Sequence, residues 1–293
     1  MKVAVIGGGA AGFFAALSAK KHYPNAEVVI IEKSSKLLSK VRISGGGRCN
    51  VTNACFKAGI LAKFYPRGSK ELKKSFALFN TNHTIAWFKE RGVALKKEAD
   101  NRMFPVTDKS ITIINCFLDE AHKLGLKIQK ETTVTKIEVL KNKIKLMIDG
   151  FDYMYDKVIV ATGGSPKIEG LKWLSNIGHS VVSPLPSLFT FNMPNEEITS
   201  LQGLSVKNAI VKIQGTKLLQ DGPLLITHWG MSGPAILKSS AWGSRELAEL
   251  NYEFKVQINW VGNSNEDEVR ILLNRYCYNY DKKKIETSNP FDI

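Results

Sequence analysis

An apolar strand, Val3-Ala4-Val5-Ile6, runs directly into Gly7-Gly8-Gly9-Ala10-Ala11-Gly12, and a second apolar run over residues 26–31 ends on Glu32, twenty residues after Gly12. Strand, G-x-G-x-x-G, a helix-compatible stretch over 13–20, a second strand and an acid form the complete dinucleotide-binding pattern in its required order. Gly7 permits the tight turn, Gly9 lets the backbone approach a pyrophosphate, and Gly12 lets helix pack closely on strand. The helix that opens at Ala10 and Ala11 offers free N–H groups and a partial positive charge to phosphates. Glu32, followed by Lys33, can accept hydrogen bonds from ribose hydroxyls and would repel a 2′-phosphate. This one feature forces a parallel α/β sheet at the start of the chain.

The other bulk properties mainly exclude. The 293 residues suffice for two domains, and 44% hydrophobic content is ordinary for a globular protein. Lys2 and the apolar run after it resemble a signal peptide, but the consecutive glycines and the polar continuation fit a buried strand and helix better. No other apolar stretch approaches a membrane span, so the sequence reads as cytosolic. Cys49, Cys55, Cys116 and Cys277 form no C-x-x-C pair and the five histidines are scattered, against a zinc site or a disulfide framework. The balance of 41 basic against 27 acidic residues gives +14. The lysines are dispersed and no RNA- or DNA-binding signature is present, so the charge reads as solvated surface that attracts anionic small molecules rather than nucleic acid.

Along the chain, residues 34–56 read as a polar, glycine-rich excursion. Residues 69–91 carry helical spacing, broken into two helices near Asn80-Thr81-Asn82. Runs 93–99 and 102–106 suggest a hairpin around Asp100-Asn101, and 110–124 an amphipathic helix ended by Gly125. Three strand-like runs follow, 127–137, 143–148 and 153–155. A parallel strand then enters Ala161-Thr162-Gly163-Gly164. Composition shifts near Ser183-Pro184-Leu185-Pro186, which divides the chain into 1–185 and 186–293. In the second part, strands are expected over 189–193, 206–214, 218–219 and 252–260, with helices over 234–247 and 266–278. The tail 281–293 is polar and aperiodic.

Three further segments carry chemistry. In Ser44-Gly45-Gly46-Gly47-Arg48-Cys49-Asn50-Val51-Thr52, consecutive glycines let backbone N–H groups face a ligand without Cβ obstruction, an anion-binding concavity. Arg48 could add charge or bind a diphosphate, and Asn50 and Thr52 could orient the loop. Cys49 lacks a resolving partner at C-x-x-C spacing and reads as a buried, inert thiol. Ala161-Thr162-Gly163-Gly164 ends a parallel strand, where open α/β sheets bind ligands. In Thr227-His228-Trp229-Gly230-Met231-Ser232-Gly233-Pro234 the glycines suggest a turn and Pro234 suits a first helical position. His228 is either a general acid or a histidine capping that turn. Arg102, ahead of Met103-Phe104-Pro105, either contacts a substrate carbonyl or carboxylate or is a surface arginine.

The order of elements resembles FAD-binding domains of the glutathione-reductase type. The segments at 5–12, 44–53, 102–106 and 227–237 resemble a bacterial family of NAD(P)/FAD-dependent oxidoreductases, the aminoacetone oxidase and BaiN-like flavoproteins, and S-G-G-G-R-C-N-x-T-N is the specific match. The resemblance implies a Rossmann-like α/β FAD domain carrying an inserted β-rich domain over the substrate. FAD would be held by Gly7, Gly9, Ala10, Ala11, Gly12, Glu32, Lys33, the 44–52 loop and Ala161–Gly164 as numbered above. The backbone of Val134 would lie against adenine, unless it is a plain core valine. Backbone donors of the glycine loop near the pyrimidine end would stabilise the reduced flavin. Hydride exchange with an enone, ketone or amino ketone is implied. NAD(P)H would dock transiently, because no second G-x-G-x-x-G sits between strand and helix. Family members return from the inserted domain through a final Gly-Glu strand turn that this chain lacks after Trp260, so the resemblance also implies a truncated chain. An RNA-modifying flavoenzyme and a non-catalytic nucleotide-binding remnant are the alternatives.

Overall fold

The computed structural model describes residues 1–280, 284 and 290–291, so most of the expected polar tail lies outside the described residues. The chain forms two compact units, Met1–Ser183 and Pro184–Ile293.

The first unit runs β1 (Lys2–Ile6), α1 (Ala10–His22), β2 (Glu27–Ile31), α2 (Ser39–Ile43), β3 (Thr52–Asn53), α3 (Ala58–Ala62), α4 (Ser69–Leu78), α5 (Thr81–Lys89), β4 (Leu95–Lys97), β5 (Arg102–Pro105) and α6 (Ser110–Lys123). It continues through β6 (Lys127–Gln129), β7 (Val134–Val139), β8 (Ile144–Ile148), β9 (Phe151–Tyr155), β10 (Lys157–Val160) and α7 (Lys172–Asn176). The central sheet has the order β10-β1-β2-β6, and every pair in it is parallel.

A parallel sheet needs cover on both faces, and the period-2 alternation of its strands shows how the cover is supplied. Val3, Val5, Val28 and Ile30 join one core with Phe13 and Leu17 of α1 and Ile113 and Phe117 of α6. Ala4, Ile6, Val29 and Ile31 face the other way, onto Leu146, Ile148 and Tyr155 of the antiparallel β7-β8-β9 sheet. Each fully buried large apolar side chain contributes about 1.5–3 kcal/mol. The first core is extended by an aromatic group in which Trp87 contacts Phe14, Phe88 and Phe117 at centroid separations of 4.9–5.4 Å.

One expectation is extended and one corrected in this unit. Residues 34–56, expected as a polar, glycine-rich excursion, also hold regular elements: α2, then a left-handed glycine turn at Ser44–Gly47, and β3. The run 127–137 is not one strand. It divides into β6, which belongs to the parallel sheet, and β7, which starts the antiparallel one. Glu131 takes a left-handed backbone (φ +53°) at the division. The chain is pinned there by Thr132 N–H donating to the Glu32 carbonyl at 3.0 Å.

The second unit contains β11 (Phe191–Asn192), β12 (Ser205–Ile213), β13 (Leu219–Thr227), β14 (Gly230–Ser232), α8 (Pro234–Trp242), α9 (Ser244–Glu249), β15 (Val256–Asn259) and α10 (Glu266–Asn279). Its five-stranded antiparallel sheet has the order β11-β14-β13-β12-β15. Ala235 and Ile236 of α8 pack on Val211, Leu224 and Ile226. The strand expected at 218–219 runs on to Thr227, and Pro223, which has no N–H for the ladder, sits where the β12–β13 register shifts between Val206 and Ala209. The turn expected from Gly230 and Gly233 falls instead at His228-Trp229, and Gly230–Ser232 is a short strand. The single helix expected over 234–247 is broken at Gly243, where a Cβ would meet Leu218 Cδ1 at 2.3 Å.

Candidate dinucleotide site

The glycines of the first turn divide into two kinds. Gly7 takes φ +114°, and a Cβ on it would stand 2.4 Å from the Ala161 carbonyl oxygen. A Cβ on Gly12 would stand 1.9 Å from the Gly7 carbonyl oxygen. Neither position admits a side chain, so strand, turn and helix are locked by backbone-to-backbone approach. Gly9 differs: a Cβ there meets no protein atom within 4 Å. Packing does not require glycine at position 9, but a ligand passing close to the backbone does.

Gly9 precedes α1, which has no side-chain cap and no acidic residue in its first turn. Ala10 and Ala11 are exposed. The leading N–H groups of a thirteen-residue helix are thus left for an anion.

Glu32 leaves β2 beside this turn. One carboxylate oxygen accepts from Gly8 N–H at 2.7 Å, and the other from the Ser34 N–H and hydroxyl, both at 2.9 Å. Burial pushes this carboxyl up, but the hydrogen bonds from Gly8 and Ser34 and the adjacent Lys33 charge outweigh it and hold it below the usual carboxylate range. Three of roughly four acceptor positions are used, leaving capacity for a ribose hydroxyl. Lys33 itself is exposed.

The second glycine segment repeats the division. Gly45, Gly46 and Gly47 take φ +57°, +68° and +85° in succession, a left-handed turn. A Cβ on Gly45 would meet Phe104 Cε1 and Asn50 N, each at 2.7 Å, whereas Gly46 and Gly47 face open space. The Ser44 hydroxyl donates to the Val41 carbonyl at 2.9 Å. Cys49 is buried, and burial raises its thiol despite the neighbouring Ser44. Asn50 is exposed, and Thr52 pairs with Met103 in the β3–β5 ladder.

Arg48 is committed to protein partners. Its guanidinium donates to Glu98 at 2.5 Å and to Asp108 at 3.4 Å, and lies 4.0 Å over the Phe104 ring. The Glu98 hydrogen bond is the main reason that its pKa is raised. Arg102 joins the same network, with Asp100 at 2.6 Å and Glu98 at 3.5 Å. Arg48 thereby anchors the glycine loop to the β4–β5 hairpin, whereas Arg102 ties the hairpin to itself.

Ala161 follows β10 and its N–H donates to the Ile6 carbonyl. Thr162, Gly163 and Gly164 are exposed, and neither glycine is crowded by backbone. The Lys40 ammonium lies 3.7 Å from where a Cβ on Gly163 would be. Val134 opens β7, half-buried against the second core.

Lys40 and Ser34 are the site residues that sequence reasoning missed. Lys40 has no signal among many dispersed lysines. Ser34 carries a weak local signal, a hydroxyl two residues past the acid that ends the second strand.

His228 lies in the second unit, exposed in the tight β13–β14 turn, with its ring 4.4 Å from that of Trp229. The surrounding glycines serve packing: a Cβ on Gly230 would meet the Phe191 carbonyl at 2.2 Å, and one on Gly233 the Pro223 carbonyl at 2.8 Å. Among the described residues no group of three or more His, Cys, Asp or Glu could hold a metal, and no helix is long and apolar enough to cross a membrane.

The residues therefore fit a dinucleotide on observations independent of the motif: an open glycine backbone at 9, 46 and 47, an uncapped helix start and an oriented carboxylate. The chain matches the HI0933-like protein Rossmann domain over residues 1–263. A 3-dehydro-bile acid delta(4,6)-reductase of Clostridium scindens is 23% identical over 283 residues, covering 94% of this chain and 68% of its own. A ribosomal RNA dihydrouridine synthase of Escherichia coli K12 is 30% identical over 259 residues, covering 84% and 62%. Its namesake in Haemophilus influenzae Rd is 28% identical over 278 residues, covering 89% and 67%. The chain thus spans roughly two thirds of the length of these relatives, 62–68%. In fold it is similar to the open conformation of a flavocytochrome c3 fumarate reductase, with a TM-score of 0.53 at 19% identity over 70% of this chain and 46% of that one. This chain belongs to the HI0933-like FAD-binding Rossmann family of flavin-dependent oxidoreductases.

Proposed function

We propose that this chain serves an FAD-dependent reductase that saturates a carbon–carbon double bond conjugated to a carbonyl, with NAD(P)H as the source of electrons. The carrying observation is Gly9: its backbone faces open space at an uncapped helix start, beside a carboxylate already held in place by Gly8 and Ser34. When bound, the flavin supplies a hydride at N5.

The chain's residues bind and orient. The N–H groups at the start of α1 take the pyrophosphate, Glu32 accepts from the ribose, and the Val134 backbone lies along the adenine. The turn at 161–164 gives a path without side-chain obstruction. The N–H groups of Gly46 and Gly47 stabilise negative charge on the reduced pyrimidine ring. Lys40 adds a cation beside Gly163. His228 as proton donor and Arg102 as a carbonyl contact stay proposals. Arg102 already has two carboxylate partners, so its structural role is the stronger one.

The bond class follows from chemistry that the relatives' activities share. A 3-oxo-4,6-diene and the C5=C6 bond of uracil are both alkenes polarised by a conjugated carbonyl. In uracil and in a 3-oxo-4-ene the hydride adds to the β-carbon and a proton to the α-carbon, and in the 4,6-diene the same polarisation extends to the δ-carbon. A uridine within RNA is a second reading of the substrate. It is favoured by the two dihydrouridine synthase relatives and by the charge, since residues 1–183 carry 30 basic and 15 acidic side chains against 11 and 12 in 184–293.

The test is anaerobic photometry of the flavin-loaded protein with NADH or NADPH, then with a 4-ene-3-ketosteroid or a uridine-containing RNA. Bleaching by a nicotinamide and re-oxidation by one of these acceptors is expected. Reduced flavin that is re-oxidised by oxygen alone would contradict the reading.

A further inference from the structure

The segment between β3 and α5 carries a surface that the dinucleotide site does not use. Phe56 is 49% exposed, Phe64 69% and Tyr65 41%, three aromatic rings within ten residues. Lys57, Lys63, Lys70, Lys73 and Lys74 are exposed around them, and none of the five forms an ion pair among the described residues. Glu71 is the only acid between 57 and 78. Helix α4 buries no residue at all. Phe56, Ile60 and Phe64 help line a concavity of about 540 Å³, together with Asn53, Asn101 and Asp100.

Apolar rings left in water carry a free-energy cost that a stable monomer ordinarily avoids by burial. Lysines interleaved with flat rings suit a strand that presents phosphates and π-faces together. Asn53 and Asn101 are residue types that can both donate to and accept from a base edge, and the concavity has the size of one nucleoside. We propose that the α3–α4 hairpin and the chain leading into it are a docking surface for single-stranded or looped RNA, a proposal that rests on the uridine reading above. Charge complementarity favours RNA: the unit holding this surface carries the whole positive excess of the chain. An anionic membrane is the weaker match, because helices of five and ten residues offer no extended apolar face to insert.

Fluorescence anisotropy with a labelled, U-rich 20-nucleotide RNA, read at several KCl concentrations, tests it. The wild type should bind with a steep salt dependence. K57Q/K63Q/K73Q should bind at least tenfold more weakly and flatten the log–log salt slope by about 2, near 0.7 for each lost phosphate contact. Phe64→Ala should weaken binding roughly tenfold with the slope unchanged, and Phe64→Tyr should restore it. The charge-matched K21Q/K130Q/K141Q, distributed over other faces, should bind like the wild type. Far-UV circular dichroism and flavin uptake on the same samples report folding. Equal weakening by the two triple variants would overturn the surface. So would failure of the folded wild type to bind RNA, or capture of phosphatidylglycerol vesicles in its place. Patch-dependent RNA binding without uridine reduction would leave the surface standing and overturn the uridine reading. Enone reduction without RNA binding would do the reverse.

Discussion

Gly9 and Gly12 stand three residues apart in one turn, yet the structure asks different things of them. At position 12 a methyl group would collide with the Gly7 carbonyl, so Gly12→Ala should cost on the order of 3 kcal/mol. In a unit of this size that lowers the melting temperature by roughly 10 °C. Gly9→Ala meets no protein atom; its melting temperature should stay within about 2 °C of wild type, while FAD affinity falls at least tenfold. Equal thermal losses in the two variants would refute the division. Glu32 gives a pH-dependent counterpart. Because its folded pKa is depressed by the Gly8 and Ser34 hydrogen bonds against the opposing effect of burial, it stabilises the fold above the unfolded carboxyl value of about 4.3. That contribution is lost as pH falls through the lowered folded value. The stability gap between wild type and Glu32→Gln, followed by urea melts, should be constant near neutrality and close below about pH 4. The thiols separate in the same way. Burial raises Cys49 and pushes Cys116 up to about 11, whereas Cys277 is exposed. Titration with a thiol-reactive chromophore at pH 8 should therefore label Cys277 first and reach Cys49 and Cys116 only on unfolding.

At the scale of elements, what was legible depended on whether the signal is local. The break between α4 and α5 was readable because Asn80 is a capping residue. Its side chain accepts from Asn82 N–H at 3.0 Å, while its own N–H donates to His83 Nδ1 at 3.1 Å. Asn80→Ala should cost about 1 kcal/mol, measured by the same melts. The β1-turn-α1 unit and the β4–β5 hairpin were readable for equally local reasons, glycine spacing and the Asp100-Asn101 turn. The division of 127–137 was not, since both halves have strand composition and only the partners differ, β2 for one and β8 for the other. Long-range pairing decides it. Among the site residues, the two glycine segments and Glu32 were legible as motifs. The engagement of Arg48 with Glu98 and Asp108 was not, because those partners lie 50 and 60 residues away.

At the scale of the molecule, the two units differ in kind. A basic Rossmann unit precedes a near-neutral antiparallel one, and the stretch 179–190, between the last element of the first and the first element of the second, holds neither helix nor strand. Limited proteolysis should cut there first, giving fragments that part near Pro184; initial cleavage inside the β12–β13 ladder would contradict the division. The central claim is narrower and can be tested on the chain as it stands: the first unit holds FAD through open glycine backbone and an oriented Glu32. The most direct measurement is a fluorescence titration of FAD with the wild type and with Gly9→Ala, each checked for folding by its melting curve. The account predicts saturable, stoichiometric quenching by the wild type and at least tenfold weaker binding by an equally stable Gly9→Ala. A folded wild type that leaves FAD fluorescence unchanged, or a Gly9→Ala that binds as tightly, would contradict it.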